Sequence, residues 1–351
     1  MADATFYTLA DSRFFVGLVA LLNSLRLTGH ANELVVLDCG LREQERRLLE
    51  PHTTLVALPA ELAARTVLAK PFLATLRPTG TIAWIDSDVI VTGSLSAILE
   101  RADAGKICLY PVDWPALRRR RFAEWQQTFG LSAPPRDQTY MNAGFLALSA
   151  ERWRPMLEHW WQACETIPFE RVFGPKVDDP LWSGDQDVLN ALLMSEVPPE
   201  AIEELPQTEV VFPPDMNRAE VVDAKAVSVA LDGAPARLLH YTWVPKPWTG
   251  QAWGRIDMHR DAYARLLPRL LFGEDVVLRL EPAAVPPWLR PGVTGRLSLA
   301  AIALGKQARR GAGAVVRRLP HPLRRRMFAW RERVEPRERI PGELRDGAEV
   351  E

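Results

Sequence analysis

The 351-residue sequence is poor in cysteine: Cys39, Cys108 and Cys164 are odd in number, far apart and outside any CxxC or Cys/His cluster. A disulfide framework or a zinc site is therefore not expected, and a reducing compartment is the expected setting. Long apolar runs are missing as well. The longest early one, Phe14 to Leu22, has nine residues, far short of the ~20 that a membrane-spanning helix needs. The opening stretch MADATFYTLADSR has neither the basic nor the apolar region of a signal peptide. No glycine-rich phosphate loop stands near the N-terminus, which argues against a nucleotidyltransferase.

Net charge is nearly absent too, at -1, but the balance hides an asymmetry. Arg290 to Arg333 carry twelve Lys and Arg against Glu332 alone, about +11, which leaves about -12 on the rest. A mildly acidic body thus carries a basic tail, and such a tail suits an anionic surface. With 47% hydrophobic and 25% charged residues the body has the composition of a folded protein. Its length allows one large domain or two smaller ones.

What is present is organised around Thr81 to Leu95, TIAWIDSDVIVTGSL. An apolar, β-branched run ends in Asp86-Ser87-Asp88, which reads as a buried strand with two carboxylates at its end. Two such carboxylates are costly to ionise together unless a cation or donors lie between them. Hard oxygen ligands of this kind suit Mg²⁺ or Mn²⁺. An isolated Asp-x-Asp is also an ordinary turn signal, and that alternative stays open on local pattern alone.

Strand and helix alternate before and after this stretch. Thr5 to Leu9, Glu33 to Asp38 and Thr54 to Leu58 read as strands, with helices after Ser12 and over Leu41 to Glu50. That alternation predicts a parallel α/β sheet, in which ligands gather at the carboxyl ends of strands, where Asp11, Asp86 and Asp88 fall. A helix over Ala69 to Leu76 precedes the central strand, and a further strand, Lys106 to Val112, ends at Asp113. Trp114 to Gln138 is basic and irregular, a mobile excursion over the sheet read either as a solvated loop or as a lid or acceptor-contacting flap.

Tyr140 to Leu148 is another strand, interrupted by Asn142 and Gly144, with Ser149 expected to cap the helix Glu151 to Thr166. Ser183-Gly-Asp-Gln-Asp-Val-Leu-Asn190 opens a helix. Ser183 and Gln186 have the spacing of a capping box, so Asp185 and Gln186 are open between a capping and a catalytic role. Short strands at Val210 to Pro213, Ala226 to Leu231 and Arg237 to Tyr241 lead to His240-Tyr-Thr-Trp-Val-Pro-Lys-Pro-Trp248. A lone His is a structural residue or a ligand. Lys246, held between two prolines, is suited to a phosphate.

Four of these motifs, IDSD at 85–88, YMNAG at 140–144, GDQDVLN at 184–190 and HYTWVPKPW at 240–248, stand together in order. They resemble the signature of family 8 glycosyltransferases, retaining enzymes of the GT-A fold, similar in outline to bacterial lipopolysaccharide galactosyl- and glucosyltransferases. The resemblance runs from about Thr5 to Trp248. It implies a Rossmann-like mixed sheet flanked by helices and a hexosyltransferase that moves a sugar from a UDP-sugar to a glycolipid or surface-polysaccharide acceptor. It implies Asp86, Asp88 and His240 as ligands of Mn²⁺ or Mg²⁺, Lys246 and Lys70 as donor contacts, and Asp11 on the uracil or ribose side. Asp113, Asn142, Asp185 and Gln186 match sugar-contacting positions, with Gln186 near the anomeric carbon and Asp185 as the alternative nucleophile. The pattern departs at Ser12-Arg13 and at Trp243, where the family has Gly; a catalytically silent sugar-nucleotide-binding or scaffold protein is the alternative.

The expected organisation is a GT-A domain over 1–255, a helical extension and Pro-rich linker over 256–290, a basic amphipathic region over 291–333 and an unstructured end over 334–351. A helix is expected over Asp261 to Phe272. The basic region, with Phe328 and Trp330, is expected at an anionic bilayer surface rather than on nucleic acid. That reading puts the protein in the cytoplasm, peripheral on the inner face of the cytoplasmic membrane.

Overall fold

Runs of β-branched and aliphatic residues separated by short polar turns build the main sheet of the protein, seen in a computed structural model that describes residues 4–242, 244–249, 260–295, 297–302 and 304. Its first four strands are β1 (Ala4–Ala10), β2 (Leu34–Asp38), β3 (Thr54–Ala57) and β4 (Thr81–Ile85), and β5 (Val89–Val91) follows the Asp86–Asp88 turn. Then come β6 (Ile107–Pro111), β7 (Met141–Ser149), β8 (Ile202–Glu204), β9 (Val210–Val211), β10 (Glu220–Asp223), β11 (Ser228–Leu231), β12 (Ala234–Ala236) and β13 (Leu238–His240). The α-helices include α1 (Phe15–Leu27), α2 (Glu43–Leu49), α3 (Ala60–Ala63), α4 (Ser96–Asp103), α5 (Trp125–Thr128), α6 (Arg154–Glu165), α7 (Asp185–Ser195) and α8 (Ala262–Phe272).

The main sheet has seven strands in the order β3-β2-β1-β4-β7-β6-β8. The β3-β2-β1-β4 half is parallel, β7 runs antiparallel to both β4 and β6, and β8 is parallel to β6. This is a mixed, helix-flanked sheet of the kind that the resemblance implies. Central strand β4 is buried along its whole length, as its apolar run predicts. Helix α1 is apolar nearly all round and is covered on every side. Each fully buried Leu or Val of this kind contributes ~1.5–3 kcal/mol.

The run TIAWIDSDVIV does not stay in one sheet. Strand β4 ends at Ile85, and β5 leaves to join a second sheet of order β5-β13-β9. There β13 pairs antiparallel to β5, with His240 opposite Val89. The turn at Asp86–Asp88 therefore puts the two carboxylates where the chain passes from one sheet to the other.

Two compact units are distinguished: Met1–Trp243 with His259–Leu280, and Val244–Met258 with Glu281–Glu351. Helix α8 belongs to the first. Asp261 starts it by accepting from the Ala264 N–H at 2.8 Å, and buried Asn23 of α1 donates to the carbonyls of Leu270 and Leu278 at 2.7 and 2.8 Å. In the second unit the Trp288 indole donates to the Pro247 carbonyl at 3.0 Å. The readings on Trp243 and on 305–351, which hold most of the basic region and the whole C-terminal end, lie outside the described residues.

Some local expectations differ from the structure. The segment over Lys70–Leu76 is a 3₁₀ helix. Ser149 does not cap α6, which begins at Arg154 after Trp153 with no side-chain cap. Trp114 to Gln138 is pinned down rather than loose, because Trp125 is fully buried and its indole donates to Pro180 O at 2.7 Å. Arg136 donates to the carbonyls of Leu193 and Val197. The polar appearance of that stretch misled because its cations serve buried backbone carbonyls.

Candidate active site

The site begins where β4 ends. Asp86 N–H donates to Gly144 O of the neighbouring β7 at 2.9 Å, and Val89 N–H donates back to Asp86 O at 3.0 Å. The backbone is thereby locked and the side chains of Asp86 and Asp88 point out of the turn. Trp84, two residues earlier on the same strand face, donates its indole N–H to Asp86 Oδ1 at 2.6 Å. His240, at the end of β13, lies with Nε2 3.4 Å from Asp88 Oδ1 and 3.9 Å from Asp86 Oδ2. One ligand atom from each of Asp86, Asp88 and His240 lies within 4.8 Å of the others.

Gly144 explains the Asn-Ala-Gly interruption of β7. A Cβ built there would lie 2.1 Å from His240 Cε1, 2.8 Å from its Nε2 and 2.9 Å from Asn142 Oδ1. Only glycine lets the imidazole lie against this strand. Asn142 is buried, and its side-chain oxygen accepts from Gly144 N–H at 2.7 Å.

Lys70 extends the cluster from the other side. Its ammonium is 3.0 Å from Asp86 Oδ1 and 3.5 Å from Asp185 Oδ2, and it donates to Ala143 O at 2.9 Å. It also lies 5.6 Å from the centroid of the Trp84 ring. Burial disfavours its charge, but the Asp185 and Asp86 carboxylates more than offset that and raise its pKa.

Asp185 opens α7 after Gly184, whose φ of +58° requires glycine. Burial pushes the Asp185 carboxyl up to about 6, with Lys70 opposing and Asp86 reinforcing the shift. Its Oδ2 is buried without a hydrogen-bond donor, and the nearby cation is Lys70. The capping-box alternative for Ser183 and Gln186 fails: α7 has no side-chain cap, and Gln186 Oε1 instead accepts from Ala143 N–H of β7 at 3.0 Å. Asn190, one turn on, both accepts from and donates to the backbone of Met141 at 2.6 and 2.8 Å. Helix α7 is therefore zipped along β7, with Asp185 and Gln186 at the Lys70 end.

The other expected site residues are placed as follows. Asp113 follows β6, accepts from the Thr242 hydroxyl at 3.3 Å, and is raised in pKa by burial. Asp11 follows β1 and forms the turn into α1, accepting from the N–H groups of Arg13 and Phe14 at 2.8 and 3.2 Å. Arg13 grips its other oxygen with Nε at 2.7 Å and Nη2 at 2.6 Å. Lys246 belongs to the second unit, where its carbonyl accepts from Thr249 N–H at 2.9 Å. The structure thus draws Asp86, Asp88, His240, Lys70 and Asp185 into one cluster, with Gln186, Asn142 and Asp113 bordering it.

Residues 41–252, more than half of the chain, match the model of glycosyl transferase family 8. The chain belongs to that family. Its fold is also that of solved glycosyltransferases. The apo structure of the WbbM bifunctional glycosyltransferase superposes with a TM-score of 0.52 at 14% identity, over 79% of this chain and 50% of that one. This glycosyltransferase therefore spans half the length of that relative. An active-site mutant of LgtC gives a TM-score of 0.51 at 17% identity, over 77% of this chain and 98% of that one. A comparison with curated proteins finds no match.

The family implies a divalent cation, and the residues of this glycosyltransferase fit one. Two carboxylates and an imidazole present ligand atoms within 4.8 Å of one another, and Gly144 leaves the imidazole room to lie there. Asp86, Asp88 and His240 could hold such an ion.

Sequence reasoning missed three contributors. Trp84 is a polar contact hidden in an apolar strand, and its signal was the i, i+2 spacing to Asp86. Tyr140 and Asp187, inside two recognised motifs, carry a buried network with Arg120 that no local pattern announces.

Proposed function

We propose that the protein is a metal-dependent, retaining hexosyltransferase that takes its sugar from a UDP-sugar and delivers it to a glycolipid or surface-polysaccharide acceptor. The observation that carries this reading is the cluster of Asp86, Asp88 and His240 at the end of β4, flanked by Lys70 and Asp185. Two oxygens and one imidazole nitrogen suit Mn²⁺ better than Mg²⁺. Held there, the ion would supply Lewis-acid stabilisation of charge on a departing diphosphate.

The chain's own groups account for the rest. Lys246, between prolines, is assigned to the diphosphate as a second positive charge. Asp185 Oδ2, buried, accepting no hydrogen bond and 3.5 Å from the Lys70 ammonium, is suited to accept a hydrogen bond from a sugar hydroxyl. Asn142 and Asp113 border the same space, and Asp11 is assigned to the nucleoside side. In the proposed transfer the bond between the anomeric carbon and the phosphate oxygen breaks while the acceptor oxygen bonds on the same face. The acceptor's proton passes to the departing phosphate oxygen. Gln186 steadies the oxocarbenium-like sugar, since its amide oxygen is already fixed by Ala143 N–H. No carboxylate nucleophile is required.

The basic stretch 291–333 is assigned to an anionic membrane surface, where a glycolipid acceptor would be found. Among the described residues no helix is long and apolar enough to cross a membrane. A panel of UDP- and GDP-sugars assayed for Mn²⁺-dependent hydrolysis and transfer tests the proposal. Turnover of a UDP-hexose is expected. Silence across the panel, with UDP binding retained, would replace it with a catalytically inert sugar-nucleotide binder.

A further inference from the structure

We propose that Arg120 is a positioning residue for the transfer reaction, acting through Asp187 to fix the N-terminal turn of α7. The inference rests on the reading of Asp185 and Gln186 as the sugar-facing pair. Arg120 comes from the basic stretch 114–138, far from every recognised motif, yet its side chain is 4% exposed and that of Asp187 is 0% exposed.

The Asp187 carboxylate is saturated. Oδ1 accepts from Arg120 Nε at 2.7 Å and from the Tyr140 hydroxyl at 2.7 Å. Oδ2 accepts from Arg120 Nη2 at 2.9 Å and from Ser183 N–H at 2.6 Å. The guanidinium also donates through Nη1 to Val177 O at 2.7 Å and through Nη2 to Asp179 O, and it lies 4.7 Å from the centroid of the Phe122 ring. One node therefore ties together the 114–138 stretch, the 169–182 loop, the head of β7 and the start of α7.

Two aspartates separated by one residue on the same helical turn thus have opposite situations. Asp187 has every lone pair engaged by hydrogen bonds, whereas the buried Oδ2 of Asp185 accepts none and has the Lys70 ammonium 3.5 Å away. The first holds the turn; the second, paired with Lys70 at 3.5 Å, is the one assigned to the sugar. Gln186 lies between them, so any rotation or fraying of this turn displaces both side chains that face the sugar. A side chain misplaced by about 1 Å can cost ~100-fold in rate with little loss of binding. The fork geometry matters as much as the charge, because only a guanidinium donates to both carboxylate oxygens and to two loop carbonyls at once.

Kinetics with Mn²⁺ and UDP-galactose or UDP-glucose test this on full-length variants, with activity expressed per folded molecule from near-UV circular dichroism. Arg120→Lys keeps the charge and loses the fork; kcat is expected to fall at least tenfold while donor KM stays within threefold. Asp187→Asn, which keeps the shape, is expected to show the same split and serves alone if Arg120→Lys does not fold. The double variant Arg120→Met/Asp187→Leu removes both buried charges; it is expected to melt closer to the wild type than Arg120→Met alone without recovering kcat. A kcat per folded molecule within twofold of wild type in these variants would overturn the proposal, leaving the pair a structural element only. Gln186→Ala and Asp185→Asn are run beside them. If both retain wild-type kcat, the underlying reading of the sugar-facing pair fails, and this inference with it. If they lose kcat and the Arg120 and Asp187 variants do not, only this inference fails.

Discussion

Adding one methyl group at Gly144 should disable the candidate metal site without unfolding the protein. A Cβ at this position would lie 2.1 Å from His240 Cε1, whereas ordinary contact begins at 3.4 Å, so the imidazole must retreat by more than an ångström. It has little freedom to do so. His240 pairs with Val89 in the second sheet, and its ring packs against Phe212 at 5.7 Å between centroids. Asn142 Oδ1, 2.9 Å from the new methyl, must move as well. Overpacking of this kind costs ~1–3 kcal/mol in stability, which a protein of this size can absorb. A ligand displaced by an ångström no longer reaches an ion held by Asp86 and Asp88, so Mn²⁺ affinity of Gly144→Ala should drop at least tenfold. Calorimetric titration with Mn²⁺, alongside a thermal melt, checks this. A folded Gly144→Ala protein with wild-type Mn²⁺ affinity would refute the argument that the Asn-Ala-Gly motif exists to seat His240.

Other outcomes follow from the same geometry. The pKa of Asp185 is raised to about 6 by burial, against an ordinary 3.8, so folding takes up a proton between these values. This residue's contribution therefore erodes stability as pH rises from about 4 to about 6, and in denaturant titrations Asp185→Asn should remove that segment of the pH profile; identical profiles would contradict the assignment. Replacing Arg324, Arg325 and Arg326 together with Glu in the full chain should cut co-sedimentation with phosphatidylserine-containing vesicles several-fold at physiological salt, with each cation worth ~1 kcal/mol near such a surface. Unchanged sedimentation would remove the membrane from the account.

The sheet and the cluster of Asp86, Asp88 and His240 were largely legible, for different reasons. Apolar runs such as Thr81–Ile85 announce buried strands because burial on both faces leaves no polar positions. Asp86 and Asp88 stood out because carboxylates at the end of such a run need a partner. His240 was legible only through its motif. What makes it a neighbour of Asp88 is the pairing of β13 with β5, a contact between residues about 150 apart in the chain, and no local period encodes it. The end of β4 at the Asp86–Asp88 turn was legible, but the same limit hid the change of sheet, since nothing local says that Val89–Val91 pairs with β13.

The 114–138 stretch failed for the opposite reason. Charged and proline-rich composition suggests solvent, yet Arg120 and Arg136 are spent on carbonyls and a carboxylate in the interior. At Ser183–Gln186 two local meanings competed. The capping box lost because Gly184 takes the capping position at positive φ and Gln186 is claimed by the β7 backbone.

The central claim is that the strand-end carboxylates and His240 form a cation site that binds the donor. It is tested most directly by titrating Asp88→Ala with Mn²⁺ in the presence and absence of UDP, following binding by calorimetry and folding by circular dichroism. The account predicts a folded protein that no longer binds UDP in a Mn²⁺-dependent way. Wild-type Mn²⁺-dependent UDP binding by that variant would contradict it.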